Sequence, residues 1–234
     1  MTMTMTMMYL FFVLAVVLVF VGGCEGRSSS QQPPTAAFFF AKTTANGDKT
    51  VTEKKDALLV TLEQLIVESQ NGIDTSKDDE IQSIMTQIAS TVVDRKNGNN
   101  DQRINLPGKW ELIYTTEKEV NFFRTSWPFA KVISIVQEID LYNTETIQNS
   151  INFERNGAFI VNGIAKPSAS ATTTVDTTEY DRVEFEFQSA IIKVFGQSIS
   201  IPPVGKGWFD TMYVDDKYRL SNDSRGDWSV FRRL

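Results

Sequence analysis

Asp210, Asp215, Asp216, Lys217 and Arg219 fall within ten residues of one another and form the one cluster in the chain with evident chemical capacity. Paired carboxylates can move protons or hold a cation. Such clusters more often cap turns and pair charges at the rim of a β structure. The chain contains no His, and its single Cys is Cys24. A Ser–His or Cys nucleophile, an imidazole base and an imidazole or thiolate metal site are therefore excluded beyond residue 24. Any activity would rest on carboxylates, Lys, Tyr or Ser/Thr, and neither a metal nor a cofactor is expected. The net charge is −6 with no basic stripe, so nucleic acid is not an expected partner. One cysteine also allows no internal disulfide, which fits a reducing destination.

Two helices are expected ahead of these residues. Thr50-x-x-Glu53 has the form of a capping box and opens a stretch with Leu58, Leu59, Leu62, Leu65 and Ile66 on one face, ending at Asn71-Gly72. Ser76-x-x-Asp79 repeats the form before Ile81, Ile84, Met85, Ile88, Val92 and Val93, with Asn97-Gly98 as the stop. The polar faces are more acidic than basic, so docking on the protein's own core is expected over lying on a membrane.

After Leu106 the apolar period changes from helical to alternating. Strands are predicted over 109–116, 133–142, 146–154, 158–165, 182–187, 195–201, 209–214, 218–221 and 228–232, with Asn143-Thr144 and Asn156-Gly157 as turns. Eight or nine short antiparallel strands with one buried face make a barrel or a sandwich. Trp110, Leu112 and Tyr114 alternate onto one face of the first strand. Between the first two strands lie Phe122, Phe123, Trp127 and Phe129, a dense group of aromatics for a loop. This segment covers one end of the barrel, or serves as an apolar lid at an entrance.

The first 26 residues read as a signal peptide, with an apolar run over 9–21 that is too short to span a membrane and small residues after it. A short membrane anchor is the alternative. Residues 27–49 read as a disordered transit or linker segment rich in Ser, Gln, Thr and Pro, and carry Phe38-Phe39-Phe40. The signal peptide, the Ser/Thr stretch and the Phe cluster together resemble the bipartite leader of algae whose plastid lies inside extra membranes. An ordinary linker after a secretory signal is the other reading. The folded domain is then 50–234, with a helical part over 50–97 and a β part over 106–234.

Leu106-Pro107-Gly108-Lys109-Trp110-Glu111-Leu112-Ile113-Tyr114 resembles the opening strand of the plastid lipid-associated protein (fibrillin) domain, and Gly108-x-Trp110 resembles the first lipocalin motif. Gly207-Trp208-Phe209-Asp210-Thr211-Met212-Tyr213-Val214-Asp215-Asp216-Lys217-Tyr218-Arg219 resembles the family's C-terminal signature. Gln137, Asp140 and Asn149 fall where the family carries a Gln, an Asp and an Asn. The chain departs from the family where Asn222-Asp223-Ser224 intervenes before Arg225-Gly226-Asp227, which reads as a tight charged turn in a lengthened last hairpin.

The resemblance spans about residues 51–233 and implies a mostly β fold, a lipocalin-like antiparallel β-barrel preceded by two amphipathic α-helices. It also implies a plastid location at plastoglobules or thylakoids, and apolar partners such as lipids, quinones or carotenoids. The candidate ligand-lining residues are Trp110, Leu112, Tyr114, Trp127, Phe129, Phe153, Phe185 and Phe187. Facing inward, they make a space suited to a prenyl, acyl or carotenoid chain, or they fill the barrel and leave none. Three functions follow as alternatives: a non-catalytic binder of apolar molecules, a protein-binding scaffold with a filled barrel, and an accessory factor or enzyme of isoprenoid-lipid metabolism using the Asp210–Arg219 cluster.

Overall fold

The computed structural model describes residues 47–93, 106–128, 130–168, 181–194, 196–202 and 205–234. The expected signal peptide, the Phe38–Phe40 cluster, the stop at Asn97-Gly98 and Phe129 lie outside the described residues, as do the side chains of Val92 and Val93. Helix α1 spans Gly47–Glu68, a 3-10 turn spans Thr75–Lys77, and α2 spans Asp78–Val93. The strands are β1 Gly108–Thr115, β2 Val132–Asp140, β3 Thr146–Phe153, β4 Gly157–Pro167, β5 Asp181–Val194, β6 Gln197–Ile201, β7 Lys206–Val214, β8 Tyr218–Asp223 and β9 Trp228–Arg233. A further helix, α3, spans Lys118–Thr125 between β1 and β2.

The antiparallel strands run in the order β4-β3-β2-β1-β9-β8-β7-β5-β6, and a β4–β5 pairing closes eight of them into a barrel. β6 stands beside that ring. The first half of β5 pairs with β7 and its second half with β6, while β4 runs along both. Closure leaves no edge strand among the eight, although β1 pairs with β2 only over Gly108–Glu111 and beyond it Arg124 donates to Leu112 O.

Two cores share the wall. The inner one holds Trp110, Leu112, Ile135, Ile139, Ile147, Phe153, Phe159, Val183, Phe209 and Phe231 among its buried residues. The outer one packs Leu59, Leu62, Leu65, Ile66, Ile81, Met85 and Ile88 of the two helices against Tyr114, Tyr213, Tyr218, Leu220 and Val230. The helices thus dock on the protein's own barrel, as their acidic polar faces suggest.

The expectation that Tyr114 shares a face with Trp110 and Leu112 is corrected by a bulge. β1 and β9 lose register between Leu112 and Tyr114, so Leu112 stays opposite Phe231 while Tyr114 moves opposite Val230. One extra residue in a strand reverses the side that follows it. A second bulge between Thr211 and Tyr213 does the same on β7, turning Tyr213 onto the helices while Val214 returns inward. These paired bulges make the outer apolar patch on which α1 and α2 sit.

The helix starts also differ from the expected caps. α1 is under way by Gly47, so Thr50-x-x-Glu53 lies inside it. Asp74, not Ser76, caps the turn that leads into α2, its carboxylate accepting from Ser76 N at 2.9 Å. The short 3-10 turn moves the cap upstream of the sequence pattern. At the other end of α1, Gly72 has φ +92°, and a Cβ there would stand 2.3 Å from Thr115 O. Only Gly allows both that conformation and that approach. Among the described residues no helix is long and apolar enough to cross a membrane.

Candidate apolar-binding barrel

Trp110 anchors one end of the interior. It is fully buried, its Nε1 donates to Leu106 O at 2.9 Å, and the Arg233 guanidinium lies 4.1 Å over its ring. Arg233 in turn donates to Pro107 O at 3.2 Å, which ties the chain entering β1 to the chain leaving β9. Gly108 makes this possible: its φ is +139°, and a Cβ would meet Arg233 Nη1 at 2.7 Å. The signature Gly-x-Trp is therefore a closure device, built from a cation–π contact and two carbonyl bonds.

α3 closes the opposite end. Its Phe123 is buried and its ring lies 5.9 Å from Phe159 and 6.1 Å from Phe153. Trp127 stacks on Phe153 at 5.8 Å. Asn121 Nδ2 donates to Gly72 O and Thr115 O, and Arg124 donates to Asn71 O and Leu112 O, so polar bonds pin the cover to both the helical turn and β1. The aromatic segment is thus a helical cover over a barrel end. Its helix escaped the sequence reading, although Val120, Phe123 and Trp127 follow a spacing of three and four. Phe185 and Phe187, with ring centroids 5.0 Å apart, are half-buried and pack against the inner core.

Of the candidate lining residues, Trp110, Leu112 and Phe153 sit in the inner core, and Trp127, Phe185 and Phe187 pack against it. Tyr114 belongs to the outer core, where its hydroxyl donates to Asp78 at 2.7 Å. Burial first, and then that hydrogen bond, pushes its phenol well above the usual range.

The Asp210–Arg219 cluster does not assemble as one site. Asp210 makes a bidentate pair with Arg182 at 2.7 and 2.9 Å, and Arg182 lies 3.6 Å over the Trp208 ring. Asp215 accepts from Tyr213 OH and from the backbone N–H groups of Lys217 and Tyr218, holding the β7–β8 turn. Asp216 is exposed. Lys217 bridges to Glu63 of α1 at 3.0 Å. Asp140 likewise holds a turn, accepting from Tyr142 N, Asn143 N and Thr144 Oγ1, and the Asn143 backbone bond leads in lowering its carboxyl. Gly207 packs on Phe185. Strand alternation separates these groups: Asp210 faces outward, while Arg219 opposite Val214 faces inward.

Arg219 is the unexpected member. It is 1 % exposed, and its guanidinium lies 3.9 Å from the Phe231 ring and 5.3–5.4 Å from Phe209 and Trp110. Nη2 donates to Gln137 Oε1, and Gln137 Nε2 donates to Asn149 Oδ1 at 2.9 Å. Burial, and after it the charge of Arg233, pulls the guanidinium down to about 9. Sequence alone could not place it, because the apolar residues of β8, Tyr218 and Leu220, turn outward onto the helices and leave Arg219 on the inward face.

The lengthened last hairpin is a charged hub. Arg225 lies 2.5 Å from Glu117 and 3.4 Å from Glu119 on α3, and 3.6–3.9 Å from Asp227 and Asp223 of its own hairpin. Burial pushes the Glu117 carboxyl up to about 7, against the pull of Arg225. A cleft of about 600 Å³ runs between the end of α1 and strands β1 and β2, lined in part by the inner-core residues Leu112 and Ile135. Val67, Ile73 and Ile133, three exposed large apolar residues, line it together with Lys131 and Arg232.

A closed antiparallel barrel with a Gly-x-Trp closure at one end and a helical cover at the other defines a lipocalin-like protein. The PAP_fibrillin family profile matches residues 56–203. A relative from Arabidopsis thaliana, described as probable plastid-lipid-associated protein 11, chloroplastic, is 31% identical over 175 residues, covering 73% of this chain and 76% of the relative. The chain belongs to the PAP/fibrillin family. No solved structure matches it.

Proposed function

We propose that the protein is a non-catalytic plastid protein that binds apolar small molecules (lipids, quinones or carotenoids) and rests on plastoglobule or thylakoid surfaces. The observation that carries this reading is the closed barrel whose inner wall is aliphatic and aromatic, with half-buried Trp127, Phe185 and Phe187 where its rim meets solvent. An apolar wall of this kind takes an apolar chain with little polar desolvation. The relative's description as plastid-lipid-associated and chloroplastic supports both the ligand class and the location. The dispersal of Asp210, Asp215 and Arg219 onto separate partners supports a role without turnover. Val67, Ile73 and Ile133 beside the cationic Lys131 offer a contact for a lipid surface.

The test is extraction. The protein purified from its own plastids is stripped with organic solvent, and the extract is analysed by mass spectrometry. A stoichiometric prenyl, acyl or carotenoid molecule is expected; an empty extract would favour the scaffold reading instead. Residues 1–46 fused to a fluorescent reporter should deliver it to the plastid, and reporter in the medium would count against that location.

A further inference from the structure

Among the described residues, the barrel interior holds a cation with no carboxylate bonded to it. Arg219 is buried by residue exposure, and its Nε and Nη1 have no hydrogen-bond partner among the described residues. Its one hydrogen-bond partner among the described residues, Gln137, donates to Asn149, so the chain of bonds ends in neutral amides. Aromatic faces at 3.9–5.4 Å offset part of the charge. They satisfy none of the remaining N–H donors, and a buried charge without a paired anion is among the most costly groups a fold can carry.

The other buried side-chain atom without a partner among the described residues is Thr211 Oγ1, on the adjoining strand. Thr211 stands opposite Ser221, Ser221 opposite Ser229, and Ser229 opposite Thr115. This row of hydroxyls crosses four strands on the face that carries Arg219, two residues further along β8. Thr115 Oγ1 and Ser229 Oγ bond each other at 3.0 Å, while Thr211 Oγ1 has no partner among the described residues and can donate to an anion. A guanidinium with free donors on the same inner face as an unpartnered hydroxyl, among apolar side chains, suits an oxyanion.

We propose that Arg219, with Thr211 of the hydroxyl row, is the head-group site for an apolar-tailed oxyanion, a carboxylate or a phosphate, bound inside the barrel. The proposal rests on the reading of the barrel as a binder of apolar molecules and adds the polarity and depth of the ligand's head. Its tail runs from Arg219 among the aromatic residues toward the α3 end.

The test is equilibrium binding of radiolabelled oleic acid, oleyl phosphate and oleyl alcohol to the delipidated full chain, each below the concentration at which it self-associates. The three share one tail, so binding of that tail elsewhere on the chain cancels. One or both anions should bind at least ~10-fold more tightly than the alcohol, and the better of the two identifies the head as carboxylate or phosphate. Arg219→Gln should bring the anions within about twofold of the alcohol, whose own binding stays unchanged. Equal binding of all three overturns the head-group site while leaving the apolar-binding reading standing; no binding of any overturns both. A preference that survives Arg219→Gln also overturns it. Arg219→Met serves as the second variant. With no paired anion lost, it should melt no lower than the wild type when free of lipid, and a fall of more than about 5 °C would make Arg219 a structural cation and overturn the proposal.

Discussion

At the scale of single residues, the family signature divides into groups that close the barrel and groups that shape its turns. Trp110 closes. Its ring fills the barrel end, bonds Leu106 O and carries Arg233, so truncation leaves a void and an unpaired carbonyl. Trp110→Ala should cost about 3–5 kcal/mol in chemical denaturation. Unchanged stability with lost ligand uptake would instead make Trp110 a ligand contact. Asp210 works at the rim, where its pair with Arg182 is about 39 % exposed on the Arg side. Asp210→Asn should therefore cost only about 1 kcal/mol, and melting curves of the variant should show a modest shift. Asp210 and Arg219 sit nine residues apart in sequence, yet one serves the surface and the other the interior. The sequence lists such neighbours without saying which side of the strand each takes.

At the scale of elements, the strands were legible because alternation survives in most of them; all nine lie within a few residues of the predicted spans, except that β5 runs well past Phe187. The two bulges were not legible. Nothing in Leu112-Ile113-Tyr114 or Thr211-Met212-Tyr213 announces an extra residue, because the pairing partner decides it. That gap misplaced Tyr114, while Arg219 was hidden because its apolar neighbours Tyr218 and Leu220 face the helices. α3 was missed because its aromatics dominate a short, amphipathic turn-length segment. Arg225 adds to its attachment, joining Glu117 and Glu119 to the last hairpin beside the bonds of Asn121 and Arg124. Arg225→Ala should loosen the cover and cost about 1–2 kcal/mol, below the figure for a fully buried pair because the Arg225 side chain is 40% exposed. Burial of Glu117 gives the fold a pH dependence of its own, opposed by the pair with Arg225. The Glu117 carboxyl, raised to about 7 in the fold, keeps a proton that the unfolded chain has released above the usual carboxylate range. Its contribution is thus fully present below about pH 4.5 and declines as pH rises toward 7. Melting temperature should fall across that window, and Glu117→Gln should flatten the slope; an unchanged slope would show that Glu117 is ionised throughout.

At the scale of the whole molecule, the two cores are opposite faces of one wall. Strands β1, β7, β8 and β9 carry Leu112, Val214 and Phe231 on the inside and Tyr114, Tyr213, Leu220 and Val230 on the outside. The helices therefore are not an appendage to a finished barrel. If they separated, the outward apolar residues of four adjacent strands would meet water, at roughly 25 cal/mol for each Å² exposed. Tyr114 would lose Asp78, and Lys217 would lose Glu63. Neither layer can leave without destabilising the strands that the other uses, so helices and barrel should unfold in one transition. Ile88, fully buried on α2 far from the barrel interior, tests this. Ile88→Ala should cost about 2–5 kcal/mol, a fall of about 5–15 °C for a domain of this size. Helical signal in the far ultraviolet and tryptophan fluorescence, which includes the barrel-closing Trp110, should shift together. A helical transition that moves down while the fluorescence transition stays in place would mean two separable layers, and would refute the shared wall as the basis of cooperativity.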